Sequence, residues 1–168
     1  MSVVKITRQA IRAADRRRTW RNTSRSATTI DSFCGEYRFL SNFWICQIDY
    51  NGQTYWSTEA AYQAAKCKNE ETKSVFTTLP PGAAKRFGNM ILIRPDWDSI
   101  KLEVMRDLLY IKFMSHPDLR QRLLETGDAM LIEGNTWGDT YWGVCDGVGE
   151  NNLGRLLMEV RASMRALQ

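Results

Sequence analysis

Several features that mark other protein classes are missing from this sequence, and each absence narrows the prediction. No apolar run approaches the ~20 residues of a membrane span, and the N-terminus lacks the apolar segment of a secretory signal. The chain has one histidine and four cysteines, with no CxxC pair, so no zinc site is expected. The glycine motifs of P-loop and Rossmann domains are also absent. We predict a cytoplasmic protein with free thiols, no metal, no cofactor and no membrane partner.

Positive charge is concentrated at the N-terminus. Residues 1–29 hold eight basic residues and one acidic residue, which leaves 15 basic and 18 acidic residues in the rest of the chain. We predict that residues 1–29 are a basic extension with a short helix at 5–18, and that residues 30–168 form one domain. Three explanations of the extension remain open: a solvated segment, an arm that binds nucleic acid phosphates, or an organelle transit peptide.

The order of turn and capping signals predicts the fold class. Asn51-Gly52 lies between two β-rich runs, which is typical of an antiparallel hairpin. Ser57 or Thr58, Ser115, and Asn151 or Asn152 are predicted to cap helices. Helices are predicted at 59–68, at 70–78, from 82, in a long segment ending at 114, in a segment ending at 127 and in the C-terminal segment, with a short strand at 129–135. The chain should therefore form a single helix-rich α+β domain with a small antiparallel sheet.

One face of the helix predicted at 59–68 carries four different polar groups. Glu59, Tyr62, Gln63 and Lys66 follow a helical spacing and share one stripe, while alanines occupy the opposite side. Two interpretations remain open. The stripe lines a pocket, or it is a solvated surface on which Glu59 gains from the helix N-terminus.

A second acid lies in the stretch "EGNTWGDTYWGVCDGVGENNLG", residues 133–154. Asp139 stands between Trp137 and Trp142 in a segment where glycines permit tight backbone paths. The aromatic rings could stack on a base or a sugar while the carboxylate faces an electron-poor carbon or a water. Alternatively, the loop covers the core and Asp139 forms an Asx turn. Trp97, in "RPDWDS", presents a similar choice between helix-start packing and a pocket wall.

Two basic residues are candidates for binding phosphate or ribose. Arg38 in "GEYRFLSNF" and Lys85 in "AAKRFG" lie beside predicted turns or helix starts, where backbone amides also face anions.

Six ordered segments together resemble a known family. They are "FCGEYRFLSNFW", "YWSTEAAYQAAK", "PGAAKRFG", "RPDWDSIKLEVMRDLLYIKF", "LLETGDAMLIEGNTWGDTYWGV" and "GENNLGRLLMEVR". From about residue 32 to 165 the sequence resembles the NADAR family of YbiA-like N-glycosidases, and the basic extension lies outside this resemblance. The resemblance implies an α+β fold and hydrolysis of a C1′–N bond on a ribose. Some members cleave phosphoribosylated pyrimidine intermediates of riboflavin synthesis, and others remove ADP-ribose from guanine.

The resemblance also implies roles for individual residues. It places the catalytic acids at Glu59 and Asp139 and the pocket tryptophans at Trp97 and Trp142. The remaining residues predicted to bind substrate are Arg38, Tyr62, Lys66, Lys85, Asn135 and Trp137. One position departs from the family pattern, because Ala60 stands where a histidine is common.

The sequence therefore predicts an N-glycosidase that removes ADP-ribose from guanine in nucleic acid or nucleotides. The basic extension motivates this choice, because it could recruit an anionic polymer. One alternative substrate is a phosphoribosylated riboflavin intermediate. An alternative of another class is a non-catalytic module that binds ADP-ribose or a nucleotide. The sequence does not predict the oligomeric state or which acid acts as the base.

Overall fold

The computed structural model describes residues 28–167, and the helix predicted at 5–18 lies outside them. The helices are α1 (Thr58–Ala65), α2 (Glu70–Val75), α3 (Pro81–Gly88), α4 (Trp97–Ser115), α5 (Pro117–Glu125) and α6 (Asn152–Arg165). The strands are β1 (Thr29–Ile30), β2 (Ile48–Tyr50), β3 (Gln53–Tyr55), β4 (Met130–Leu131), β5 (Gly134–Asn135) and β6 (Val144–Cys145). Short 3₁₀ helices cover Gly35–Leu40 and Phe76–Thr78. The predicted helix-rich α+β class is confirmed.

The strands form three separate pairs in the described residues, rather than the one antiparallel sheet that was predicted. Only the β2–β3 hairpin is antiparallel, and Asn51 and Gly52 turn it with φ angles of 51° and 80°, as a type I′ turn requires. The pairs β1–β4 and β5–β6 are parallel. Strand β1 begins at Thr29, one residue before the predicted start of the domain.

The helix starts follow local signals in part. The Ser57 hydroxyl accepts a hydrogen bond from the Ala60 amide at 3.1 Å, as a capping residue should. The predicted cap at Ser115 is wrong, whereas Asn151 takes the predicted cap position without a capping bond. Ser115 is the last residue of α4, and the preceding position of α5 is His116, which makes no capping bond. Asn151 precedes α6 with a left-handed φ of 52° and no capping bond, because its side chain bonds elsewhere.

The core is built around α4, which packs against α1, α5 and α6. Its apolar side chains Val104, Met105, Leu108, Leu109 and Phe113 are buried. Each such side chain contributes about 1.5–3 kcal/mol by leaving water. Ile100 and Ile111 of the same helix are only partly buried.

Helices α1 and α3 approach each other closely at Gly88. An atom added at the Cβ position of Gly88 in α3 would lie 2.0 Å from Oε1 of Gln63 in α1. A larger residue here would require the Gln63 side chain to shift. The alanines of α1 are buried as well, so this helix is enclosed on both sides.

Two general expectations can be compared with the described residues. All four cysteines are unpaired, which confirms the predicted free thiols. Between residues 28 and 167, no helix has the length and apolar character needed to cross a membrane.

Candidate active site

Glu59 lies in the first turn of α1 and is only 7% exposed. Its Oε1 accepts a hydrogen bond from Gln63 Nε2 at 2.7 Å. Burial raises the pKa of Glu59 above its usual value, while the Gln63 bond and the charges of Lys85 and Lys66 oppose this shift. Because Glu59, Tyr62 and Gln63 are all buried, the solvated-surface interpretation of this helix face is wrong.

Tyr62 is the centre of an aromatic cluster one turn further along α1. Its ring meets Trp97 edge-on at a centroid distance of 5.0 Å and Trp142 at 5.5 Å. Burial raises the pKa of Tyr62, so its hydroxyl keeps its proton at neutral pH. Trp97 is the first residue of α4 and is buried. Trp142 remains partly exposed and also contacts Tyr141.

Asp139 is held by its own loop. Its Oδ1 accepts the backbone N–H groups of Tyr141 at 3.1 Å and Trp142 at 2.8 Å, which is the Asx turn considered from the sequence. Asn135 holds the same residue from the other side. Its Oδ1 accepts the Asp139 N–H at 3.0 Å, and its Nδ2 donates to the Asp139 carbonyl at 2.7 Å. The structure thus uses the Asn135 amide to shape the loop.

The two predicted catalytic acids belong to one electrostatic neighbourhood. Asp139 acts on the buried carboxyl of Glu59 and raises its pKa further, although 80 positions separate the two residues in the sequence. Asp139 also acts on Tyr62. Asp139 Oδ1 accepts the N–H of Trp142 at 2.8 Å, and the Trp142 ring lies 5.5 Å from the Tyr62 ring. The fold therefore places the Asp139 loop against the helix that carries Glu59 and Tyr62.

The predicted cationic residues surround these acids. Lys66 lies 5.3 Å from the centre of the Tyr62 ring, and burial lowers the pKa of its ammonium group against the opposing charge of Glu59. Lys85 is exposed and lies 5.7 Å from the Phe43 ring and 5.9 Å from the Trp137 ring. Trp137 is 63% exposed.

Glu133 is an acidic residue at this site that the sequence did not single out. It lies between β4 and β5, and its Oε2 is buried with no hydrogen-bond partner in the described part of the chain. Burial and the charge of Asp139 raise the pKa of Glu133 to about 7, against the effects of Lys85, Arg38 and Lys112. Arg38 itself is exposed on the first 3₁₀ helix.

Lys112 is a second buried ionisable residue that was not predicted. Its ammonium group is fully buried in α4 and donates to the carbonyls of Phe39 at 2.6 Å and Ser41 at 2.9 Å. Burial lowers the pKa of Lys112 to about 8. The lysine thereby ties α4 to the end of the 3₁₀ helix that carries Arg38.

Two cavities lie elsewhere on the described residues. A partly open one of about 390 Å³ is bordered by residues between Thr29 and Tyr37, and a smaller one of about 40 Å³ lies by Tyr50 and Arg94. Neither is lined by Glu59 or Asp139. Among residues 28–167 there is also no group of three His, Cys, Asp or Glu side chains that could hold a metal ion.

Comparison with known proteins identifies the family. The profile of the NADAR domain matches residues 30–165. The chain belongs to the NADAR family. The N-glycosidase YbiA of Escherichia coli is 38% identical over 133 residues, which cover 77% of this chain and 82% of YbiA. The NMR structure of E. coli YbiA superposes with a TM-score of 0.77 and 35% identity, covering 86% of this chain and 89% of that one.

A further NADAR relative is part of a longer protein. A riboflavin biosynthesis protein of Vibrio vulnificus is 37% identical over 131 residues, which are 76% of this chain and 35% of that protein. Ala60, the departure from the family pattern, is fully buried in α1 of this NADAR domain. Because buried helices tolerate added volume poorly, an imidazole at this position would require α1 to shift.

Proposed function

We propose that this chain is an N-glycosidase that hydrolyses the C1′–N bond of a ribosylated base. The observation that supports it most is that the Asp139 loop packs against the helix of the buried Glu59, through the contact of Trp142 with Tyr62. Breaking such a bond leaves positive charge on the ribose, as in other glycoside hydrolysis. Fixed carboxylates near C1′ stabilise this charge and orient the attacking water.

The surroundings of the two acids suggest different roles. Glu59 is buried, fixed by Gln63 and flanked by Lys66 and Lys85. A carboxylate in such a low-dielectric place stabilises a developing cation more strongly than one in water. Asp139 is partly exposed, and only its Oδ1 is used by the loop amides. We assign Glu59 to the ribose cation and Asp139 to the water.

The other predicted residues would bind the ends of the substrate. Lys66, Lys85 and Arg38 provide positive charge around the acids, which suits a phosphate or diphosphate on the ribose. The exposed ring of Trp137, next to Lys85, suits stacking on the base.

Two substrate classes fit this chemistry. The charge of residues 1–29 favours ADP-ribosylated guanine in nucleic acid, because those residues could bind the phosphate backbone. The name of the Vibrio vulnificus relative favours a phosphoribosylated pyrimidine intermediate of riboflavin synthesis. The cytoplasmic location predicted from the sequence suits either substrate.

A product assay on both substrates tests the proposal. Guanine-ADP-ribosylated DNA and a phosphoribosylaminopyrimidine are incubated with the full chain, and the released base and sugar are measured. Glu59→Gln keeps the size of the side chain and should lower kcat by about 10²-fold or more, whereas Glu71→Gln, on the exposed surface of α2, should leave kcat unchanged. Binding of ADP-ribose with no release of base from either substrate would instead favour the non-catalytic module.

A further inference from the structure

Glu133 is a partly buried acid that the roles above do not use, and its backbone is held at both polar atoms. Its N–H donates to Oδ1 of Asn151 at 3.0 Å, and its carbonyl accepts the N–H of Val144 at 2.9 Å. Gly143 closes the space beside it, since a Cβ there would lie 2.2 Å from the Glu133 carbonyl oxygen and 3.0 Å from Cγ. The backbone and the start of the side chain therefore have one position.

The end of the Glu133 side chain is not supported in the same way. Oε2 is buried without a hydrogen bond from any described residue. An unsatisfied buried polar atom costs about 1–3 kcal/mol, and more when it is charged. Asn151, which positions the backbone, has a left-handed φ of 52°, a conformation that asparagine adopts more readily than most residues. The cost therefore lies at the carboxyl group and not in the backbone that holds it.

The charges that face Glu133 connect it to the proposed site. Asp139 and Lys85 act on Glu133, and both also act on Glu59. Arg38 and Lys112 are the other charged groups that act on it. The geometry agrees, because a Cβ at Gly143 would lie 3.0 Å from Glu133 Cγ and 2.8 Å from Asn135 Nδ2, and that Nδ2 donates to the Asp139 carbonyl. Glu133 therefore lies beside the loop that holds Asp139. Its raised pKa of about 7 means that roughly half of the molecules carry its proton at neutral pH.

We propose that Glu133 is a third catalytic residue, the acid that donates a proton to the base as it leaves C1′; this inference rests on the proposed N-glycosidase function. The C1′–N bond breaks with its electron pair on nitrogen, and the Glu133 carboxyl gives its proton to that nitrogen. A water oxygen bonds to C1′ and releases a proton to Asp139. One water is consumed, and the products are the free base and the ribose hydroxyl. Asp139 then releases its proton to solvent and Glu133 takes one up from solvent, which restores both groups.

The pH dependence of the wild-type chain gives the first test, on whichever substrate releases base. A proton donor of this kind predicts that kcat/KM falls about tenfold per pH unit above pH 7. Wild-type kcat/KM that stays flat between pH 6 and 9 overturns the inference without the need for any variant.

Glu133→Gln separates proton donation from structural support. The amide fills the same space and can form hydrogen bonds, but it cannot transfer a proton. We expect kcat to fall by about 10²- to 10⁴-fold, and the remaining activity to lose the decline above pH 7. The thermal midpoint is measured beside it, and Glu133→Asp, which keeps a transferable proton, should retain more activity than Glu133→Gln and keep the decline.

The outcomes distinguish this inference from the function on which it rests. If Glu133→Gln retains wild-type kcat and the same decline with pH, the proton donor is another group and the inference is overturned. If the wild-type chain releases no base from either substrate, the proposed N-glycosidase function fails, and the role of Glu133 fails with it.

Discussion

Replacing Gly88 with alanine would test how closely helix packing controls the orientation of Glu59. The new methyl group would lie 2.0 Å from Oε1, 2.7 Å from Cδ and 3.2 Å from Cβ of Gln63. Gln63 is buried, so its carboxamide has little room to move away. Displacing it breaks the 2.7 Å hydrogen bond to Glu59. We expect a loss of both stability and catalysis.

The size of the effect can be worked out against a matched glycine in the same helix. A Cβ at Gly82 would meet only Nη1 of Arg86, at 3.6 Å. Both substitutions gain from replacing glycine in a helix, by up to about 1 kcal/mol, but only Gly88→Ala adds overpacking of about 1–3 kcal/mol. For a chain of this size, each kcal/mol shifts the thermal midpoint by about 2–4 °C. Gly88→Ala should therefore unfold well below Gly82→Ala.

The activity of the same variants tests the link to Glu59. Misplacing a catalytic group by about 1 Å costs up to 10²-fold in rate, so kcat of Gly88→Ala should fall strongly while Gly82→Ala stays close to wild type. In the double variant Gln63→Ala/Gly88→Ala the clash is gone. Its free energy of unfolding should therefore exceed the value expected from the sum of the two single effects by about 0.5–3 kcal/mol. Activity should stay low, because the bond to Glu59 is still missing. The reasoning is refuted if Gly88→Ala matches Gly82→Ala in thermal midpoint and wild type in kcat.

Four other changes have defined expected outcomes. The pKa of Lys112 is lower in the folded chain, about 8 against 10.5, so the unfolded chain binds more protons between these values and stability rises with pH. From pH 7 to 9.5 this lysine should add about 2 kcal/mol to the free energy of unfolding. Urea titrations of Lys112→Met at the two pH values should show no such increase. Trp137→Ala should raise KM about fivefold or more by loss of base stacking, with little change in thermal midpoint, whereas Trp56→Ala, 58% exposed, should leave KM unchanged. Asn135→Ala should lower kcat more than it raises KM, because the amide shapes the loop around Asp139. A rise in KM alone would instead support the prediction that Asn135 contacts the substrate. Deleting residues 1–27, which leaves β1 intact, should weaken activity on modified DNA more than on a free nucleotide, and equal loss on both would remove the argument for an arm that binds nucleic acid.

Local signals were sufficient for the parts of the fold that depend on neighbours in sequence. The Asn51-Gly52 turn requires two positive φ angles, and few residue pairs other than this one adopt them readily. The cap at Ser57 and the alanine-backed stripe of α1 likewise follow from short-range spacing. The parallel pairs could not be predicted in this way. Strands of two residues carry no periodic pattern, and Thr29 meets Met130 across about a hundred positions.

Sequence reasoning missed Lys112 and Glu133, because the environment of each depends on residues that are far away in the sequence. Lys112 follows the same helical period as Leu108 and Val104, but a lysine in that pattern suggests a solvated position. It is buried because the carbonyls of Phe39 and Ser41, at the end of a 3₁₀ helix, provide its hydrogen bonds. Glu133 was included in a predicted strand. Its position depends on the close approach of Gly143 and on the hydrogen bond that its N–H donates to Asn151, both far along the loop.

The three acids of the proposed site differ in what surrounds each carboxyl, and this difference suggests how they would divide the chemistry. Glu59 accepts a hydrogen bond from the Gln63 amide, Asp139 accepts two from backbone N–H groups, and Glu133 Oε2 has no described donor. A hydrogen-bond donor stabilises a negative charge, whereas burial without a donor favours the neutral acid. A site that must give a proton to a leaving base while stabilising a cation needs one protonated and one ionised carboxyl group at the same pH. We therefore expect substitutions at Glu133 to change the alkaline side of the pH profile, and substitutions at Glu59 to lower the rate at every pH.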